Sequence, residues 1–481
     1  MDSNDKTEDD GKPKQPSPAV LEVFLPWACA QLQVKDSVVV TKIVQTDYVS
    51  VVGLSDRSKK KAKSKVSKVE LTLDMDKDDR SCTTMRMSVA SEIEPGIQIF
   101  AFYDSVDNLV QLRYDKNRHL PRIIFKILGM IIQFHPYLHT ITINSGIDQT
   151  GIYEISKFLP LSHITDLCLD GTFIEESNYH ILLENVNCLR HLSLARCSVN
   201  DEVLEQIASC LSYPLPASRT LSILNLSSNK ITDLGAKHLS EALRSNRQMS
   251  YLNLSGNMLT DSGAGYLFNT LLKFPLSFAE LLASRSRHMT YLMQKNALVM
   301  QKVKELRAGD FEKRAARRKT AVKPISTPKK DKKGVEKEPS LRSFSESKSY
   351  GNFEAVFIEK ATQMAEAVLG EFHDPFDGQS TVISEGVVYS QGNNTLCYLN
   401  LSFNNLSYVS LTKLLKVLTY QKESGRKPRG LVNISIEGNL MPVMCRELQL
   451  IDDMLDTGLM LQTRRYSLPK KRTQSKVGTK F

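Results

Sequence analysis

The sequence predicts an α/β fold: a solenoid of about seven strand-helix repeats, with a β-rich N-terminal region and a large, partly disordered basic insert. Three observations predict it. A pattern of the form LxxLxLxxN recurs along the chain. An apolar pattern of helical period follows the copies. The fifth and sixth copies then start 147 residues apart, at Met249 and Leu396.

Residues 1–18 are polar, open on an acidic run, and are expected to be disordered. Residues 19–119 read as a β-rich region. The expected strands are Val38–Val44, Tyr48–Leu54, Lys68–Leu73, Met85–Ala90, Ile97–Tyr103 and Leu109–Tyr114, with the basic run 57–68 as an exposed loop between two of them. This region is either a small β domain or an elaborate cap. Leu120–Phe134 reads as a capping helix, because the first unit of a stack needs its apolar end covered.

Residues 120–275 hold this cap and five repeats. The strongest copies are Leu221, Leu224, Leu226, Asn229, Ile231 and Met249, Leu252, Leu254, Asn257, Leu259. Looser ones are Leu189, Leu192, Leu194, Cys197, Val199 and Ile164, Leu167, Leu169, Thr172, Ile174, with a degenerate first copy at Leu138, Ile141, Ile143. Successive copies from 164 to 249 start 25, 32 and 28 residues apart. Alternating strand leucines point inward. The ninth-position Asn can bond the backbone where the strand turns, and Cys197 takes that slot in its copy. Four-residue steps such as Ile231, Gly235, Leu239, Leu243 then define one helix face, matched by Val199, Val203, Ile207, Leu211 and by Ile174, Leu182, Val186. No single unit can bury both its faces, so neighbours must stack.

Residues 276–390 form the insert: a helix near Ala279–Arg318, a Lys/Pro/Ser-rich linker too polar to order itself, and a second helix over Phe353–Leu369. Residues 391–462 carry the closing repeats, Leu396, Leu399, Leu401, Asn404, Leu406 and Leu431, Ile434, Ile436, Asn439. They are expected to stack directly on the fifth copy, since alone they would leave an open sheet edge. Residues 463–481 read as a disordered basic tail.

The segments NLSSNKITDLGAKHLSEAL and NLSGNMLTDSGAGYL, together with the copies just named, resemble the leucine-rich repeat proteins, in the long, helix-containing ribonuclease-inhibitor-like class. The resemblance spans roughly 136–275 and 394–450. It implies stacked strand-helix coils whose concave strand face binds a protein. Some members of the class stimulate small GTPases, and similar intracellular repeat proteins occur in cilia and axonemes.

The net charge of +10 is unevenly placed. Residues 302–350 carry +9, residues 464–481 carry +7 and residues 57–68 carry +7, leaving −13 elsewhere. Basicity confined to three segments with few aromatics disfavours a nucleic-acid surface; by default the segments are solvated linkers, with contact to an acidic protein surface such as a microtubule, or to an anionic membrane, as the alternatives. The eight cysteines show no CxxC and no Cys/His ligand spacing, so reduced thiols in the cytoplasm are expected. The most apolar stretch, Ile123 to Ile132, is too short to span a bilayer and contains Lys126.

No phosphate-loop, nucleophile-elbow, zinc-protease or dinucleotide motif occurs. His135 and His139 are four apart, but Pro136 breaks the helix that would pair them. The expectation is therefore a non-enzyme with no cofactor and no metal, acting as a protein-binding scaffold. The partner-binding residues are those preceding the central strand leucine: Asp166, His191, Ile223, Tyr251, Tyr398 and Asn433. The next outward column, Thr142, Cys168, Ser193, Asn225, Asn253, Asn400, Ser435, is small and polar. An alternative is a regulator of an enzyme, a small-GTPase activator or an inhibitor, using Arg190 and Arg196 near Asp166 and Asp170.

Overall fold

The computed structural model describes residues 15–44, 96–320, 347–425, 430–442 and 444–466. The expected strands Tyr48–Leu54, Lys68–Leu73 and Met85–Ala90, the basic loop 57–68, the linker 321–346, the first fourteen residues and the tail from 467 lie outside them. In chain order the described strands are β1 (Val38–Val44), β2 (Ile97–Tyr103), β3 (Leu109–Tyr114), β4 (Thr140–Ile143), β5 (Asp166–Cys168), β6 (His191–Ser193), β7 (Ile223–Asn225), β8 (Tyr251–Asn253), β9 (Phe274–Pro275), β10 (Thr381–Ser384), β11 (Val387–Ser390), β12 (Tyr398–Asn400) and β13 (Asn433–Ser435). They belong to two compact units. One comprises residues 1–268 and 394–481, the other residues 269–393.

The first unit is built on a ten-stranded sheet in the order β1-β2-β3-β4-β5-β6-β7-β8-β12-β13. From β3 to β13 every pairing is parallel, one strand per repeat. Ile141, Leu167, Leu192, Leu224, Leu252 and Leu399 share one register row and are buried. Strand β12 pairs directly with β8, Leu399 opposite Leu252, so the ladder crosses the sequence interruption without a break.

Two kinds of side chain link one coil to the next. Asn229 accepts from the backbone N–H groups of Cys197 and Val199, both at 3.0 Å, and donates to the carbonyls of Leu194 at 2.8 Å and Leu226 at 2.9 Å. Buried backbone groups at the strand ends thereby find partners they would otherwise lack. Asn257, Asn404 and Asn439 repeat the arrangement, and Asn404 reaches Leu254 and Leu259 across the interruption. In the looser copy Cys197 fills the slot, its Sγ donating to the Leu169 carbonyl at 3.1 Å.

The second link is acidic. Asp201 accepts from the N–H groups of Thr232 and Gly235, which open the next helix. Asp233 serves Thr260 likewise, and Asp261 serves Ser407 and Ser410. A carboxylate at a helix N-terminus meets unpaired donors and the positive end of the dipole. Position 235 must be glycine, because a Cβ there would collide with the Asp201 carboxylate.

The described strands of the N-terminal region extend the same sheet. β1 runs parallel to β2, β2 antiparallel to β3, and β3 parallel to β4. The sequence reading lacks the helix Leu21–Gln31, which buries Leu21, Phe24, Leu25, Ala28 and Cys29. Pro26 inside it and its nearly unbroken apolar character hide the helical period. The expected cap helix is Arg122–Ile131 followed by one short turn to Phe134. The second repeat differs from expectation. Only Ile181–Glu184 is helical, and Val186 is 75% exposed, off the buried face. Its 25-residue period is too short for a full helix, and buried Tyr179, bonded to the Thr172 carbonyl at 3.1 Å, fills the space instead.

The second unit is a helical hairpin with a small sheet. Helix Phe278–Thr320 packs against helix Ser347–Leu369, both longer than the sequence suggests. Strands β10 and β11 form a hairpin, and β11 also pairs with β9; the sequence reading lacks all three. Phe274, Leu276 and Phe376 form a local core. Asp374 has a fully buried side chain, held by Arg287 at 2.6 Å and Ser284 at 2.9 Å. The last helix, Arg446–Tyr466, runs past residue 463, where the tail was expected to begin.

Candidate protein-binding face

One face of the ten-stranded sheet packs against the apolar core, and the other is open. Backbone register places Thr140, Asp166, His191, Ile223, Tyr251, Tyr398 and Asn433 opposite one another in a single row on the open face. All six residues singled out in the sequence thus share it. Each is half-buried or exposed, while the leucines beside them are buried. This alternation is what a strand with one covered face must show.

Tyr251 and Tyr398 meet with ring centroids 6.1 Å apart and planes tilted by 35°. They sit on paired strands whose sequence positions straddle the insert. Tyr398 is 41% exposed. Ile223 lies next in the row and extends the apolar patch.

At the other end of the row the chemistry is polar. His191 Nδ1 lies 3.2 Å from Asp166 Oδ1, and Thr165 donates to Asp166 Oδ2 at 2.6 Å. The hydrogen bond from His191 holds the Asp166 carboxyl below its ordinary range, against the opposing effect of partial burial. Arg190 and Arg196 are exposed, and no ion pair joins either to Asp166 or Asp170.

The next outward column is largely occupied with its own backbone. Asn225, Asn253 and Asn400 each accept from the N–H two residues on, at 3.2, 3.0 and 3.0 Å. Ser193 donates to Asp170 at 2.5 Å and accepts from Asn225 at 2.9 Å. Burial pushes the Cys168 thiol up to about 12, so it carries no thiolate at neutral pH.

Phe403 was not singled out in the sequence. It follows β12 with φ of +54° and is 66% exposed. The corresponding turn position is Gly171, Gly256 and Gly438 in three other copies and Arg196 and Ser228 in two more, all at positive φ. An aromatic residue in a left-handed position is uncommon. The signal was present in the alignment of the repeats as a bulky residue in a glycine slot.

Among the described residues no group of three or more His, Cys, Asp or Glu side chains could hold a metal ion. His135 is buried, with Nε2 3.1 Å from the Pro18 carbonyl, and His139 Nδ1 contacts Thr140 at 2.8 Å. No described helix is long and apolar enough to cross a membrane.

The sequence model of the family described as Leucine Rich repeat matches three stretches, residues 217–240, 245–268 and 392–415. They are the copies that carry β7, β8 and β12. The chain therefore contains leucine-rich repeats, and repeats of this kind generally mediate protein-protein interaction. A comparison with curated proteins finds no match.

Proposed function

We propose that the chain is a non-catalytic scaffold that binds a protein partner on the open face of its sheet, along Asp166, His191, Ile223, Tyr251, Tyr398 and Asn433. One observation carries the reading: Tyr251 and Tyr398 lie side by side on that face, 6.1 Å apart. Adjacent aromatics with a polar tip give large contact area at low entropic cost and are enriched at interface hot spots. The seven strand-helix units act as one solenoid presenting this row, and Phe403 stands beyond the end of its strand as an added contact.

Affinity capture tests the proposal. Tyr251→Ala/Tyr398→Ala loses partners that wild type and a helix-side control, Lys237→Ala/Glu241→Ala, both retain. Equal recovery by all three rejects it.

The basic segments 57–68, 302–350 and 464–481 would add salt-sensitive contacts to an acidic surface such as a microtubule. The layout, a β-rich start, five repeats, an insert and closing repeats, is similar to that of leucine-rich repeat-containing protein 71. With the resemblance to intracellular repeat proteins of cilia, it supports a cytoplasmic, ciliary or cytoskeletal location, which imaging of the tagged protein in ciliated cells would test.

A second reading, regulation of an enzyme such as a small GTPase, is favoured by Arg196 alone. It is exposed and sits at φ of +56° in the same turn slot that glycine fills elsewhere. A GTP-hydrolysis assay with Arg196→Ala tests it. Stimulation lost in the variant supports this reading, and no stimulation by wild type removes it.

A further inference from the structure

The long helix Phe278–Thr320 of the second unit carries an apolar stripe that is exposed among the described residues. Phe278, Leu282, Met289, Leu292, Met293 and Met300 are all exposed. At about 100° per residue they fall within roughly one third of the helix circumference. The side that bears Ser284, Arg287, Tyr291 and Lys295 points elsewhere, toward residues 366–374: Arg287 bonds Asp374, Tyr291 bonds the Gly370 carbonyl and Lys295 bonds Glu366. The stripe is the free seam of a helix whose other side is already packed.

The seam reads the same from both ends. Its positions are Leu282, Ser286, Met289, Met293, Asn296 and Met300, spaced 4, 3, 4, 3 and 4 residues apart. That spacing is the heptad seam of a helix pair. The classes run apolar, polar, apolar, apolar, polar, apolar. We propose that this stripe pairs with the same stripe of a second copy of the chain, the two helices antiparallel, in a two-fold symmetric dimer.

The register follows from the sequence symmetry. In an isologous contact, if residue i meets j then j meets i. Leu282 packs on Met300 of the second copy, Met289 on its Met293, and Ser286 meets its Asn296. The last pair can hydrogen-bond, and a single polar pair in an apolar seam fixes register. Arg285 faces Ala297, so no like charges collide, and Phe278 lies beside Lys304, a cation over an aromatic ring. Parallel pairing would instead set Arg285 against Arg285. Ala283, Thr290 and Ala297 flank the seam, and their small side chains let the helices approach closely. Six apolar side chains, each burying about 100 Å², give roughly 1,200 Å² over both copies, above the ~1,000 Å² of a specific contact. A foreign partner would give the stripe no reason to be palindromic. The stripe and the sheet face belong to different units, so each can be tested without the other.

Sedimentation equilibrium of the full chain is the test, with circular dichroism to check that each variant stays folded. Wild type is a dimer at tens of micromolar, and Met293→Glu weakens association roughly 100-fold. Ser286→Glu/Asn296→Lys remains dimeric, because antiparallel pairing sets each Glu against a Lys, whereas Ser286→Glu/Asn296→Glu dissociates. A wild type still monomeric at about 100 micromolar, or a dimer indifferent to Met293→Glu, overturns the proposal. So does a monomeric Ser286→Glu/Asn296→Lys that has kept its helix content, since parallel pairing would produce that result.

Discussion

Single residues carry more of this architecture than their size suggests. Asn404 donates to three carbonyls and accepts from the Leu259 N–H, all at the junction of the fifth and sixth coils. Asn404→Ala leaves those buried groups unpaired and costs about 3 kcal/mol, read from the urea midpoint. Phe403 is the opposite case. Glycine at 403 removes a left-handed strain of about 1 kcal/mol, so Phe403→Gly raises the melting temperature while weakening partner capture. A lower melting temperature would mean that contact between the ring and Gly438 outweighs the strain. The recurring Asn column was legible as a spacing in the sequence. The strained Phe403 is visible only when the copies are aligned, as a bulky residue where three of them have glycine.

Secondary-structure elements are joined by the acidic clasps, and these make stability depend on pH. Burial opposes ionisation of Asp261, but hydrogen bonds from Ser407 and Ser410 overcome it and hold the carboxyl below its ordinary value. A depressed folded-state value means the clasp is at full strength above the unfolded carboxylate value, about 4, and is lost as pH falls through the folded one. Wild type therefore loses stability below about pH 4 more steeply than Asp261→Asn, measured by urea unfolding at stepped pH. Equal slopes would show that the clasp contributes nothing. Strands and helices of the strong repeats could be read from the sequence because inward leucines recur at fixed spacing. The helix Leu21–Gln31 could not, since Pro26 and a nearly unbroken apolar run hide its period, and strands β9 to β11 could not, since they are only two to four residues long. Leu226→Asp would bury an unpaired charge in the inward row and abolish the cooperative melt.

At the scale of the whole molecule, the first unit is one sheet assembled from two separated parts of the chain. The six row residues were legible because strand register follows the leucines, so any residue beside them is placed automatically. The proximity of Tyr251 and Tyr398 depended on direct pairing of β8 with β12, which local periodicity alone does not determine. The proposed binding face rests on that pairing. Hydrogen exchange of the full chain tests it most directly. Leu254 donates to the Asn400 carbonyl at 2.9 Å and Leu401 to the Ser435 carbonyl at 2.8 Å. Amides in 249–259 and 396–406 are expected to exchange with matched protection, and Asn404→Ala to lower both together. Rapid exchange of 396–406 while 249–259 stays protected would contradict it.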